Sequence, residues 1–245
     1  MNQLDDFEFV VNDDVPEAGV SVGFLLLSGI ENRLSNPEFI SVRANFLSEI
    51  IANDILSNVV SDPKISGYRE LHQRFSVDDS TLVPSPESLY LLLFKRGDLH
   101  PINALVDIYN YVSLKYRISC GAHDIDHLDA AIRLSTTTGM ERFTPLGKKT
   151  EQRLPRGEYA YLDGSGRAIC RLECKQADHS AVTEATRNAV IIVQGNAQTV
   201  CSLIDTALAE MTDLVERYIG KPMRLRQEII SRYVAETTLM GSHGG

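Results

Sequence analysis

The sequence predicts an α+β fold, on three observations. Apolar runs of strand length open the chain, apolar residues at helical spacing fill its middle, and a glycine-rich turn joins two further strand-like runs before a long closing helix. No fixed-period repeat and no linker divides these parts. We therefore read one domain over residues 21–240, with an acidic lead-in at 1–20 and a tail at 241–245.

Residues 7–11 (FEFVV) and 19–28 (GVSVGFLLLS) read as strands, and the second is too continuously apolar to be washed by solvent on one face. From Glu38 to Val60 the residues Ile40, Phe46, Ile50, Ile55 and Leu56 recur at helical spacing, and Pro63 is expected to end that helix. A short helix from Tyr68 to Phe75 follows. Ser85, Pro86 and Glu87 signal a helix start through a capping hydroxyl, a preset φ and an acid at the positive end, and Gly97 stops it. Pro101 opens the next helix, which runs to Tyr116.

After Gly121 the pattern changes. Asp124 to Asp129 reads as an acidic turn, Ala130 to Leu134 as a strand, and Glu141 to Phe143 as a possible one. Gly157–Leu162 and Arg167–Glu173 flank the turn Asp163-Gly164-Ser165-Gly166 and form a hairpin. Asn188 to Val193 is a buried strand ending at Gln194-Gly195, and Ala197 to Tyr218 is the closing helix.

Composition narrows the function. Six of the 33 acids fall in residues 1–20, which hold no Lys or Arg, so the remaining residues carry 24 bases against 27 acids, a balance of −3. That argues against bulk attachment to DNA or to an anionic membrane and leaves room for a local basic patch on RNA. No apolar run reaches membrane-spanning length and no leader is evident, so the expectation is a cytoplasmic protein with four reduced cysteines.

Residues 101–114 (PINALVDIYNYVSL), followed by Gly121-Ala122-His123-Asp124-Ile125-Asp126, the stretch 139–147 (GMERFTPLG) and 180–186 (SAVTEAT), carry a resemblance. Over about residues 80–220 the chain resembles the B3/B4 domain of the phenylalanyl-tRNA synthetase beta subunit, and in particular freestanding B3/B4 proteins. The resemblance implies a B3/B4-like layered sheet-and-helix domain. In the synthetase that domain hydrolyses tRNA wrongly charged with tyrosine, so the expected function here is a freestanding aminoacyl-tRNA deacylase acting in trans. The alternatives are a non-catalytic binder of tRNA or an amino acid, and a hydrolase or binder of an unrelated small ester or amide.

Carried onto this chain, Tyr109 and Asn110 occupy the family's Thr-Asn pair, so Asn110 matches and Tyr109 departs. His123 falls on the pocket histidine. Gln194, or a position near Ile192, stands where the family has a carboxylate, and Cys174-Lys175-Gln176 replaces a glycine-rich turn. Ester hydrolysis needs a held water, a route for its proton and donors facing the oxyanion. His123 and Asn110 are the catalytic candidates. Tyr109, Cys174, Thr183, Thr186 and Gln194 are the substrate-binding candidates, although Gln194 cannot act as a base and Thr183 and Thr186 could simply cap a turn. Asp107, one helical turn before Asn110, is expected to hold the start of its helix.

For tRNA contact the candidates are Lys95 with Arg96, Arg153 with Arg156, and Arg187, with ordinary helix ends and solvated loops as the competing reading. No metal and no cofactor are expected. The run His123-Asp124-Ile125-Asp126-His127 reads as a solvated turn, and Cys170, Cys174 and His179 lack the knuckle spacing of a structural zinc site. Gly164-Ser165-Gly166 lacks the helix and lysine of a phosphate loop. Whether the chain is a monomer or a homodimer is left open.

Overall fold

The computed structural model describes residues 7–34, 36–53, 58–77, 79–129 and 131–230. The fold is α+β, built as a helical layer on one sheet and a second sheet on the other side of it. The first sheet has the order β11(Arg224–Ile230)-β2(Ser21–Ser28)-β10(Asn188–Gly195)-β3(Ser119–Asp124), all antiparallel. The second has the order β1(Glu8–Val11)-β4(Ala131–Thr136)-β7(Tyr159–Asp163)-β8(Ala168–Arg171)-β9(Lys175–Gln176), parallel only at β1–β4. A small hairpin pairs β5(Arg142–Phe143) with β6(Gln152–Arg153).

The apolar run in β2 is explained by its place. It lies between β11 and β10, with Val22, Phe24 and Leu26 facing the second sheet and Leu25 and Leu27 facing the helices. Alternate residues of a strand point to opposite faces, so a strand covered on both sides is apolar throughout. A short helix, α1(Asp14–Glu17), follows β1, and the helical side is closed by α2(Pro37–Ala52), α5(Ala104–Tyr116) and α6(Cys201–Tyr218). Helix α6 lies so close to β2 that a Cβ on Gly23 would sit 2.6 Å from Ile204 and 2.7 Å from Leu208.

Several expected boundaries shift for identifiable reasons. Helix α2 starts at an Asn36 cap and stops at Asn53, whose side chain bonds back to the Glu49 carbonyl at 2.8 Å. It therefore does not reach Val60, and Ile55 and Leu56 lie outside the described residues. Pro63 begins the next helix rather than ending that one. Helix α3(Pro63–Arg74) carries Asp62 as its cap and Pro63 in its first turn, which puts its start five residues before the expected one. In α4(Ser85–Arg96) the cap position is Pro84, and Ser85 turns its hydroxyl to Ser119 at 2.9 Å instead. Helix α5 starts at Asn103, whose side chain accepts from the Val106 N–H, while Asp107 accepts from the Ile102 N–H and pairs with Arg43. Helix α6 begins at Cys201, later than Ala197. Strands β3, β6, β9 and β11 were not anticipated, and the tail at 241–245 lies outside the described residues.

Candidate functional site

Strand β3 ends the first sheet and β9 ends the second. Between these two edges the structure opens a cavity of about 330 Å³, closed on its remaining sides by α4, α5, β10 and Pro145-Leu146. Five of the expected residues line it together: Tyr109 and Asn110 from α5, His123 from β3, Cys174 from the β8–β9 turn, and Gln194 from β10.

Each reaches the cavity for a local reason. Asn110 follows the buried stripe of α5 by one position and so emerges at its edge, half-buried, with no side-chain hydrogen bond to any described residue. Tyr109 is inside that stripe, where burial pushes its hydroxyl well above the usual range. His123 is buried and shares its Nδ1 with the Ser180 hydroxyl at 2.9 Å. Burial, with the neighbouring His179 adding to it, drives its pKa down to about 3. The imidazole is neutral at physiological pH and can position a water or a carbonyl, but it is far too weak a base to take a proton efficiently at pH 7.

Gln194 stands in a chain of polar groups beneath the cavity. Tyr161 donates to its Oε1 at 2.6 Å, its Nε2 donates to the Tyr159 hydroxyl at 3.1 Å, and Tyr159 in turn donates to Glu173. Glu173 is therefore a carboxylate of the pocket that the sequence did not disclose. It is 6% exposed; burial opposes its charge, but His72 and Tyr159 outweigh that and hold its pKa below the ordinary value. Leu172, just before it, adopts φ 54, an unusual conformation for a leucine, in the turn that carries Glu173 to the cavity. The acid expected to be lost at position 194 or near Ile192 thus has a counterpart in the cavity from the β8–β9 turn. Cys174 is a protonated thiol, raised by burial and by the adjacent Glu173.

Helix α3 supplies the back wall. Tyr68 and His72, one turn apart, share a face. The Tyr68 hydroxyl accepts from the Ser119 N–H and donates to the Gln194 carbonyl, so it stands between two residues that are ladder partners in β3 and β10. His72 meets Glu173 at 2.9 Å. The close approach depends on Gly67, where a Cβ would lie 2.6 Å from the Asn196 side chain.

Other candidates are placed elsewhere. Thr186 accepts from the Thr183 N–H and donates to Asp124 at 2.6 Å, a latch that ties the loop before β10 to the end of β3; neither threonine lines the cavity. Lys95, Arg96, Arg153, Arg156 and Arg187 are exposed and also lie off its lining, and Arg187 bonds the Glu184 and Thr186 carbonyls. Lys175, named in the stretch that replaces the glycine-rich turn but not among the tRNA-contact candidates, is the cation that does line it. His127 is exposed beside Asp124, and His179 lies 3.7 Å from Asp163.

The sheet-and-helix layers with this edge pocket define a B3/B4-type domain. The B3/4 domain profile matches residues 69–220, and the chain belongs to that family. Among curated proteins it is similar to the phenylalanine–tRNA ligase beta subunit of Staphylococcus saprophyticus subsp. saprophyticus, 31% identical over 183 residues covering 74% of this chain and 20% of that protein. It is also similar to the same subunit of Staphylococcus haemolyticus, 26% identical over 233 residues, 95% of this chain and 26% of that one. The chain therefore spans a fifth to a quarter of these relatives' length. A solved N-terminal fragment of the phenylalanyl-tRNA synthetase beta subunit from Pyrococcus horikoshii aligns at 16% identity with a TM-score of 0.40, over 84% of this chain and 49% of that fragment. Among the described residues no helix is long and apolar enough to cross a membrane.

Proposed function

We propose that the chain is an aminoacyl-tRNA deacylase acting in trans on misacylated tRNA. One observation carries the reading: a single cavity gathers the amide of Asn110, which has no side-chain hydrogen bond among the described residues, the neutral ring of His123 and the buried carboxylate of Glu173. Its volume of about 330 Å³ suits one aminoacyl group, near the lower end of the roughly 300–1,000 Å³ typical of ligand sites. The relatives are subunits of a tRNA ligase, which supports tRNA as the carrier of that group.

In this mechanism Asn110 binds the amino group or carbonyl of the ester, and His123, its tautomer set by Ser180, holds the attacking water. A ribose hydroxyl of the terminal adenosine assists the departure of the proton, because His123 and Glu173, both held below their ordinary pKa, are weak bases. Exposed Lys95, Arg96, Arg153 and Arg156, with Lys175 at the cavity, would meet the phosphates. The depressed basicity of His123 favours a second reading, a binder of tRNA or amino acid without turnover.

The test is ester lifetime across a panel of matched and mismatched aminoacyl-tRNAs. Selective hydrolysis that falls by about 10²-fold in Asn110→Ala, His123→Ala and Glu173→Gln is expected. Unchanged lifetimes at saturating protein reject the deacylase, and a stable complex without turnover establishes the binder.

A further inference from the structure

At the back of the cavity three donor atoms of different chemistry converge. His72 Nε2 is 2.9 Å from Glu173 Oε1 and 3.7 Å from Cys174 Sγ, and Sγ is 3.3 Å from the same carboxylate oxygen. A nucleophilic Cys-His-Glu triad requires the ring to face the thiol with one nitrogen and the acid with the other. Here both neighbours sit on Nε2, so the ring cannot relay a proton between them. The three atoms do lie close enough together for one ion to reach them all.

We propose that His72, Glu173 and Cys174 bind one divalent transition-metal ion, of the zinc class, with its fourth position open to the cavity. A tetrahedral ion with ordinary Zn–N, Zn–O and Zn–S bonds holds such ligand atoms about 3.3–3.6 Å apart. The three separations in the structure bracket that range, so small side-chain adjustments seat the ion. One thiolate, one carboxylate and one imidazole select a borderline ion over magnesium or calcium.

The surroundings fit as well. Tyr159 donates to Glu173 Oε2 and leaves Oε1 for the metal, while Gln194 and Tyr161 fix Tyr159 in turn. Arg69 and Arg171, cations in electrostatic reach of Cys174, are already paired with Glu87 and Glu158. Glu173 and Cys174 line the cavity with His72 buried behind them, so the remaining coordination position would open to the cavity. Binding replaces the thiol proton, which leaves to solvent as the metal–sulfur bond forms, and His72 binds as the neutral ring with its proton on Nδ1, a charged ring releasing its Nε2 proton to solvent. The proposal stands on donor geometry and does not depend on the deacylase reading.

The full chain, stripped with a chelator and dialysed, is titrated with Zn²⁺ by calorimetry and with Co²⁺ by absorption. Expected are one ion per chain and a thiolate-to-cobalt charge-transfer band. The band should vanish in Cys174→Ser and persist in Cys170→Ser, a pocket thiol outside the set, and Zn²⁺ affinity should fall at least about tenfold in His72→Gln. No uptake by the wild-type chain overturns the proposal, as does uptake indifferent to both Cys174→Ser and His72→Gln, or a band lost in Cys170→Ser alone. Circular dichroism of each variant accompanies the titration, and the wild-type result decides even where a variant does not fold.

Discussion

His123 and Ser180 share a hydrogen bond of 2.9 Å across 57 residues of chain, and both are buried. In Ser180→Ala the Nδ1 of His123 loses that partner. Such a loss costs about 1–3 kcal/mol, and at about 2–4 °C per kcal/mol for a chain of this size the thermal midpoint should fall measurably. An unchanged midpoint in a calorimetric scan would refute the bond.

His123 also sets an acid limit on the fold. In the folded chain it stays neutral down to about 3, whereas an unfolded histidine takes its proton near 6.5. Between those values the unfolded state binds the extra proton, so stability rises with pH across the window and drops as acid is added. One proton corresponds to about 1.4 kcal/mol per pH unit. Urea unfolding of wild type and His123→Gln at intervals from pH 4 to 5.5 should differ in slope by about that amount, and parallel profiles would contradict it.

An acid cannot simply be introduced at position 194. Tyr159 has one hydroxyl proton and gives it to Glu173, while Gln194 donates to the same oxygen. Gln194→Glu leaves two buried carboxylates competing for that proton, with an expected cost of about 2–4 kcal/mol. The exchange Gln194→Glu with Glu173→Gln should recover most of the loss. A single variant as stable as wild type in urea would show that the two side chains are not coupled.

Tyr68→Phe removes the hydroxyl that stands between Ser119 and Gln194. Two buried backbone groups then lack partners, at about 1–3 kcal/mol each. Hydrogen exchange at the Ser119 amide should accelerate more than at amides in the middle of β3, and equal protection would mean that the strands close directly.

Most elements were legible because the local chemistry agreed with the final fold. The run 19–28 is apolar on both faces as β2, the Asp163 turn makes the β7–β8 hairpin through bonds to the Ser165 and Arg167 amides, and Gly97 ends α4 in the left-handed region. Strand β3 was not legible, since Cys120, Gly121 and Ala122 have little strand preference and are held by β10 and α5. In the site, residues within one strand or helix were read from motif, so Asn110, His123 and Gln194 were in view. His72 and Glu173 were not, because 101 residues separate them and the turn at Leu172 that brings them together leaves no trace in composition.

That separation also fixes an order of events during synthesis. At about 5–20 residues per second, His72 leaves the ribosome roughly 5–20 s before Glu173, and Tyr68 waits longer still for Gln194. Over that interval α2, α3 and α4 can already bury their shared cluster of Leu47, Ile65, Tyr90 and Leu93. The wall they present to the cavity has nothing opposite it until β10 is made, so the helical cluster can form on the ribosome well before the cavity is complete.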